Sequence, residues 1–318
     1  MLASHGRHVA HRRTATTRRV WRPNFLALST ALCALLGLIF ITYPTAAAWL
    51  SQYNQSLIVS DYSERIKQTE PSGAEHLLAA RNYNEALTAG AILEANTNVP
   101  TGNGNSSDPL YDYNTLLAVD GTSLMARIRI PSIELDLPVY HGTSEATLLS
   151  GIGHLRGTSL PVGGAGTRTV LTGHRGLANA EMFTNLDQVE NGDTFSIDVF
   201  GETITYRVFD TKVVEPHETE AIRAEEGRDL ATLVTCTPLG VNSHRILLTG
   251  ERVFPTPDNE IIAAQKDPSI PRFPWWIVWS LAGVLLLASY VWRSGLRPLA
   301  APTPPATSQS DEVASMAQ

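Results

Sequence analysis

The chain has 318 residues, of which 43% are hydrophobic, 7% aromatic and 17% charged. This composition excludes a disordered chain, and the length allows one sizeable core together with membrane segments. The formal net charge is −7, yet the first 22 residues carry six arginines, Arg7, Arg12, Arg13, Arg18, Arg19 and Arg22. A basic tail before an apolar run indicates membrane topology, so we expect no nucleic-acid partner.

The first apolar run predicts a transmembrane helix over residues 24–48, preceded by a basic cytoplasmic tail over residues 1–23. Its uncharged sequence, FLALSTALCALLGLIFITYPTAAA, is long enough to cross a bilayer core of ~30 Å. A signal peptide cleaved after Ala48 is the alternative, because a basic segment precedes the run and alanines end it.

A second apolar run, WWIVWSLAGVLLLASYVW, predicts a transmembrane helix over residues 275–292. Tryptophans at both ends suit the membrane interface, and Arg293 and Arg297 follow. The positive-inside rule then places both termini in the cytoplasm, with a disordered tail over residues 293–318, and the region between the helices outside. A buried core helix is the alternative, which Pro271 and Pro274 disfavour because they separate the run from what precedes it.

Helical sequence follows the first membrane run. Residues 49–95 predict two helices, LSQYNQSLIVSDYSERIKQ and AEHLLAARNYNEALTAG, separated at Pro71-Ser72-Gly73. Residues 96–123 are rich in Gly, Asn and Ser and predict a long loop with an aromatic patch at its far end.

Short runs rich in β-branched residues fill residues 124–255, separated by Gly, Pro, Asn and Asp. They predict a mainly β domain with short helices, an antiparallel barrel or a sandwich, followed by a linker over residues 256–274. Within it we expect a short helix in AEMFTNLDQVENGD, ending at Asn191-Gly192, a hairpin at Gly201 and a hairpin turn at PVGGAGT.

The chain has two cysteines, and only one is a candidate for chemistry. Cys33 lies inside the first apolar run, where a small side chain packs. Cys236 stands alone outside the membrane, in TLVTCTPLGVNSHR. If ATLVTC and RILLTGERV form a hairpin, Cys236 and Arg245 face each other at its mouth, where a guanidinium can stabilise a thiolate or an oxyanion.

A cysteine nucleophile needs a proton carrier, and His174 is the candidate among nine histidines. It directly follows the predicted strand TVLTG and precedes Arg175-Gly176, a position from which a ring can project into a cleft. The residues alone leave open a solvated histidine beside a packed cysteine.

These motifs resemble a known family. TLVTC followed nine residues later by arginine, with LTGHRG upstream, resembles the sortases, the membrane-bound cysteine transpeptidases of Gram-positive bacteria. The sequences IRIPSIELDLPVYHGTSEATLLSGIGHLRGTSLPVGGAGTRTVLTGHRGL and VTCTPLGVNSHRILLTGERV are similar to class C, pilin-polymerising sortases. The resemblance spans about residues 124–253 and implies a closed sortase-type β-barrel.

The resemblance also implies roles. Cys236 would attack the Thr–Gly carbonyl of an LPXTG-like sorting signal and form a thioacyl enzyme. His174 would protonate the leaving amine and deprotonate the incoming one, and Arg245 would hold the oxyanion or orient the signal. The partners would be pilin subunits that carry the signal and an acceptor pilin lysine, with no cofactor.

Class C sortases also resemble one another in a lid, a loop before the barrel in which an Asp-Pro-aromatic triplet covers the cleft. Asp108 and Pro109 match this triplet, whereas Leu110 replaces the aromatic residue and Tyr111 follows. Either Leu110 or Tyr111 is then expected to plug the cleft, with Asp108 near Arg245 or Cys236 in the closed state.

Several alternatives remain at this stage. A housekeeping sortase that anchors surface proteins to peptidoglycan and a hydrolase use the same chemistry, and a membrane-tethered binding domain uses none. Four other histidines do not occur at the sequence spacing of a metal-binding motif, so we expect no metal site; they are His141, His154, His217 and His244. PVGGAGT lacks the Lys-Ser/Thr end of a phosphate loop.

Overall fold

The computed structural model describes residues 19–69, 72–87, 112–119, 121–268 and 271–298. Its helices and strands, in chain order, are β1 (Arg19–Trp21), α1 (Phe25–Arg65), α2 (Gly73–Ala86), β2 (Leu124–Ile130), β3 (Leu135–His141), α3 (Glu145–Ser150), β4 (Ile152–His154), β5 (Thr167–Thr172), β6 (Thr194–Val199), β7 (Glu202–Val214), β8 (Asp229–Thr237), β9 (His244–Arg252), α4 (Asp258–Ala264), α5 (Trp275–Gly295) and β10 (Leu296–Pro298). The chain divides into two units, residues 1–42 with 275–318, and residues 43–274.

The first unit contains the two apolar runs. The first of them begins α1, the second forms α5, and both pass as candidate membrane spans by length and hydropathy. Almost none of the residues in their apolar windows is buried by protein. Such surfaces favour a lipid environment, which supports association of the chain with a membrane. Beside them, β1 pairs with β10 in antiparallel register.

The second unit is built around a closed eight-stranded barrel with the strand order β2-β3-β4-β5-β8-β9-β7-β6. Pairing of β2 with β6, for example Ile128 with Ile197, closes it. The barrel expected from the sequence is therefore confirmed, with one refinement. The β3–β4 and β5–β8 pairs are parallel, so the barrel is not antiparallel throughout.

Both faces of β2 are buried, for different reasons. Its apolar side chains, such as Ile128 and Ile130, fill the barrel core. Arg129 is covered on the outside, where it donates to both Asp198 carboxylate oxygens and to the Glu260 backbone oxygen of α4. A buried guanidinium needs such partners, so this ion network fixes α4 against the barrel wall.

Two helices close one side of the barrel through buried polar contacts. The Tyr62 hydroxyl of α1 donates to the Met125 carbonyl oxygen at 2.9 Å and accepts from the Phe200 amide at 3.1 Å. Asn84 of α2 exchanges two hydrogen bonds with the backbone of Leu160. Because these contacts join distant parts of the chain, they hold the helices in one place on the barrel.

Three local expectations need correction. A single helix, α1, runs from the apolar segment to Arg65, because nothing in residues 45–65 breaks it. The helix expected before Asn191-Gly192 is reduced to a 3₁₀ turn, Leu186–Gln188, because Phe183 and Leu186 turn into the core. PVGGAGT lies in a longer β4–β5 connection, not a tight hairpin turn, whereas the hairpin at Gly201 joins β6 to β7 as expected.

Candidate active site

Cys236 lies near the end of β8, where the strand leaves the barrel. The antiparallel register of β8 and β9 places it directly opposite Arg245. The loop between the strands closes through hydrogen bonds from the Val241 and Asn242 amides to the Pro238 carbonyl oxygen. Cys236 is a free cysteine, and the residue is partly exposed at the barrel rim.

Arg245 is held by its own loop. Its side chain is buried, and Nη1 donates to the carbonyl oxygens of Asn242 at 2.9 Å and His244 at 3.0 Å. Guanidinium keeps its positive charge at physiological pH. The register and these bonds therefore fix a cation beside the cysteine.

His174 reaches the same rim from β5. Parallel pairing of β5 with β8 ends with Thr172 beside Val234, and His174 and Cys236 each lie two residues further along the chain. The Gly173 amide donates to the Val234 carbonyl oxygen at 3.1 Å, and the Thr235 hydroxyl donates to the Gly173 carbonyl oxygen at 2.8 Å. These bonds continue the strand pairing up to the histidine.

Gly173 has a steric reason to be glycine. A Cβ atom there would lie 2.6 Å from the Ile152 Cδ1 atom and 2.8 Å from the Phe183 Cδ2 atom. Real Cβ atoms essentially never show contacts this short, so a side chain at this position would force Ile152, Phe183 or the backbone beside His174 to shift.

The His174 ring lies against a carboxylate. Its Nε2 atom is 3.4 Å from Oε1 of Glu145, the first residue of α3. The ring is 22% exposed, while Nε2 itself is shielded from solvent and has no hydrogen bond of good geometry within the described ranges. Glu145 was not selected from the sequence, because it precedes His174 by a whole helix and two strands.

Arg175 connects the two sides of the site and was also missed. Its Nη1 donates to the Thr237 hydroxyl at 2.9 Å, next to Cys236, and its Nε donates to the Thr184 carbonyl oxygen at 3.1 Å. Its Nη2 pairs with the Asp187 carboxylate at 2.5 Å. The signal available in the sequence was its position directly after His174.

Two other histidines form a buried cluster with Tyr113. His154 Nε2 lies 2.9 Å from the Ser159 carbonyl oxygen, and Nδ1 lies 2.9 Å from the Tyr113 hydroxyl. A carbonyl only accepts, so Nε2 carries the proton and Nδ1 accepts from tyrosine. The ring nitrogens of His141 lie 2.9 Å from the Ser123 carbonyl oxygen and 2.7 Å from the Leu116 carbonyl oxygen, and a neutral ring donates to one of the two.

Burial sets the ionisation of this cluster. It lowers the pKa of His154 to about 4, against a weaker opposing effect of the Ser159 hydrogen bond. It also lowers the pKa of His141.

Of the remaining histidines, His217 lies 3.5 Å from Glu215 and His244 lies 2.8 Å from the Ser243 hydroxyl. Within the described part of the chain, no three His, Cys, Asp or Glu side chains form a group suited to a metal ion.

The expected lid residues, Asp108 to Tyr111, lie outside the described residues. The description resumes at Asp112, and Tyr113 is buried. Besides its contact with His154, the Tyr113 hydroxyl accepts from the Gly142 amide at 3.0 Å. The segment that follows the lid sequence is therefore anchored to the barrel.

Comparisons with known proteins agree with this architecture. Residues 128–253 match the family model of the sortase domain. Sortase D of Bacillus subtilis is 26% identical over 189 residues, which cover 58% of this chain and 85% of that protein.

Solved structures are more similar. Sortase C-1 from Actinomyces oris is 49% identical with a TM-score of 0.51, covering 57% of this chain and 99% of that one. Sortase C1 from Streptococcus agalactiae is 40% identical with a TM-score of 0.56, covering 63% and 99%. A lid mutant of sortase A from Corynebacterium diphtheriae is 42% identical with a TM-score of 0.52, covering 59% and 96%. On these grounds the chain belongs to the sortase family of cysteine transpeptidases, within the group of class C sortases.

Proposed function

We propose that this sortase cleaves an LPXTG-like sorting signal between Thr and Gly and joins the new acyl group to a lysine of a pilin subunit, so that it polymerises pili. The observation that carries the proposal is the barrel rim, where Cys236 pairs with Arg245, and where Cys236 and His174 each lie two residues beyond the paired residues Val234 and Thr172. Several of the similar structures are class C sortases, and one of them is described as a pilus-related sortase C of group B Streptococcus.

In the first half of the reaction, the Cys236 thiolate attacks the threonine carbonyl carbon. Arg245 supports the negative charge that develops on the carbonyl oxygen, because its cation is already fixed beside the sulfur. His174 gives a proton to the glycine amine as the C–N bond breaks, which leaves a thioacyl enzyme.

In the second half, the lysine amine attacks the thioester carbonyl. His174 takes the proton that the amine loses, and the thiolate leaves as the isopeptide bond forms. The thioester retains the energy of the cleaved amide, so the transfer needs no nucleotide.

The membrane helices support a location at the cell membrane, and we propose that the barrel faces outward with both termini in the cytoplasm.

We further propose that Asp108, Pro109 and either Leu110 or Tyr111 form a lid over this cleft. Anchoring of Tyr113 directly after the lid sequence supports this, because it fixes the loop end near the His141 turn. Replacing both Asp108 and Pro109 with alanine is expected to speed alkylation of Cys236 by iodoacetamide roughly tenfold. Equal labelling rates in both proteins would reject the lid.

Acceptor choice tests the proposed function. Full-length protein in detergent micelles is incubated with an LPXTG peptide and either a lysine-containing pilin domain or a peptidoglycan cross-bridge peptide. Mass spectrometry is expected to find an isopeptide bond to the pilin lysine, at least tenfold in excess over the cross-bridge product. Preference for the cross-bridge amine would instead assign the anchoring function, and products formed equally by Cys236→Ala would reject both.

A further inference from the structure

The position of Glu145 is fixed by the fold. Ser144 caps α3, since its hydroxyl accepts from the Thr147 amide at 3.2 Å. A Cβ atom at Gly153 of β4 would come 2.4 Å from the Gly142 carbonyl oxygen, in the turn before α3, and 3.0 Å from the Leu148 Cδ2 atom of the helix. The turn and the helix that carry Glu145 therefore pack closely on β4.

The backbone that carries the His174 ring is also hydrogen-bonded on both sides. The His174 carbonyl oxygen accepts from the Phe183 amide at 3.0 Å, and Gly173 is bonded to β8 on the other side. The Glu145 carboxylate of α3 lies 3.4 Å from the ring nitrogen Nε2. The other charged and titratable groups of the site are Arg175, which follows His174 in the chain, and Cys236 and Arg245, which pair across β8 and β9.

The contact distinguishes the two nitrogens of His174. Nε2 is shielded from solvent and lies 3.4 Å from the Glu145 carboxylate, whose negative charge favours a proton on this ring nitrogen over one on Nδ1. If Nε2 were unprotonated, its lone pair would face the negative carboxylate with no hydrogen atom between them. Of the two neutral tautomers, the arrangement therefore favours the one with its proton on Nε2.

We propose that Glu145 is a positioning residue for His174, one that holds the proton on Nε2 and reserves Nδ1 for catalysis. The inference rests on the proposed function in one respect, the acid–base role of His174. When the C–N bond of the sorting signal breaks, the Nδ1 proton moves to the leaving amine and the ring becomes neutral, still protonated on Nε2. When the lysine amine attacks, its proton moves to Nδ1, and the thiolate and imidazolium are restored.

Glu145 itself neither gains nor loses a proton in this cycle. Its carboxylate is 63% exposed, so water can replace part of its effect. We therefore expect a loss smaller than the 10²- to 10⁴-fold that a general acid–base group contributes, roughly tenfold in kcat.

A direct test determines which nitrogen of the His174 ring carries the proton. Nitrogen NMR of ¹⁵N-histidine-labelled full-length protein in micelles, with His174 assigned by its loss in His174→Gln, distinguishes the two neutral tautomers. The wild type is expected to show Nε2 protonated, and Glu145→Ala to show a mixture. A wild-type ring protonated on Nδ1, or a tautomer unchanged in Glu145→Ala, would overturn the proposal whether or not the protein polymerises pilins.

Kinetics complete the test with matched variants. Glu145→Ala and Glu145→Gln are expected to lower kcat about tenfold with little change in donor KM, and Glu145→Asp to recover part of the loss. The control is Glu190→Gln, an exposed glutamate on the loop before β6, which should behave as wild type. Variants that all match this control would contradict the proposal. So would a loss confined to KM for the lysine acceptor, because Glu145 would then bind the incoming amine instead of positioning the ring.

Discussion

Two histidine environments on one barrel differ in how completely the ring is bonded. His154 is fully buried and bonded at both ring nitrogens, to Tyr113 and the Ser159 backbone. His174 is partly exposed, and its Nε2 has a carboxylate nearby without a well-formed hydrogen bond. A fully bonded ring holds the fold and cannot exchange protons easily, whereas an incompletely bonded ring at the rim retains that capacity.

The same contrast applies to what each ring anchors. The His154 cluster fixes the segment from Tyr113 to Leu116 and the turn at Gly142. The His174 turn is tied to the cysteine strand through Arg175 and Thr237. The first region is therefore expected to control stability and the second turnover, a separation that mutation can test.

The largest effect separates the two histidines. His174→Ala is expected to lower transpeptidation roughly 10³-fold and leave thermal stability nearly unchanged. His154→Ala is expected to cost about 3 kcal/mol in the free energy of unfolding, because it leaves a cavity and an unpaired Ser159 carbonyl. Turnover assays and circular dichroism melting of the full-length variants check both. A stability loss in His174→Ala as large as that in His154→Ala would contradict the separation.

The structural role of His154 also predicts how the free energy of unfolding depends on pH. The folded-state pKa of His154, about 4, lies below the unfolded value of ~6.5, so the unfolded chain binds the proton more readily. The stability contribution of the neutral ring is therefore present above pH ~6.5 and is lost as the pH falls toward 4, by about 3 kcal/mol in total.

Melting curves between pH 7 and pH 4.5 measure that loss. His154→Gln keeps a donor and an acceptor but cannot titrate in this range. Its stability is therefore expected to fall less steeply with acidity than that of the wild type. Parallel curves for the two proteins would show that His154 is not responsible.

A smaller effect is expected at the link between the two sides of the site. Arg175→Met removes the bond to Thr237 and is expected to lower kcat about 10- to 100-fold, because misplacing the ring relative to the sulfur slows proton transfer. Asp187→Asn keeps that bond and should change kcat by less than about threefold. Steady-state assays compare the two variants, and equal losses would mean that the Thr237 bond has no special role.

The smallest effect concerns the anchor of the lid segment. Tyr113→Phe removes the hydroxyl that bonds to His154 and to the Gly142 amide. We expect a loss of about 1–2 kcal/mol in the free energy of unfolding, because the two buried partners lose their hydrogen bond. Chemical denaturation measures it. An unchanged midpoint would mean that water replaces the hydroxyl.

Local patterns in the sequence predict the Cys236–Arg245 pair and the short strands of a barrel or a sandwich, and the family resemblance selected the closed barrel. Alternation of side chains and a single loop between two strands determine which residues face each other across a hairpin. The structure pairs these two residues as the hairpin argument requires.

Long-range pairing was not accessible in the same way. His174 meets the cysteine strand through the parallel β5–β8 pair, whose partners are about 60 residues apart in the chain. Glu145 reaches His174 only after α3 docks on β4, and Arg175 reaches Thr237 by the same strand pairing. Local periodicity contains no information on such contacts, so Glu145 and Arg175 emerged only from the structure.

Trapping the acyl group on Cys236 tests the central claim most directly. Full-length protein is mixed with an excess of an LPXTG-like peptide without acceptor, quenched in acid and digested for mass spectrometry. The account predicts a thioester on the peptide that contains Cys236, with a mass increase equal to the signal fragment ending in threonine, and none in Cys236→Ala. A cleaved signal peptide with no adduct on Cys236, or an adduct on another residue, would contradict it.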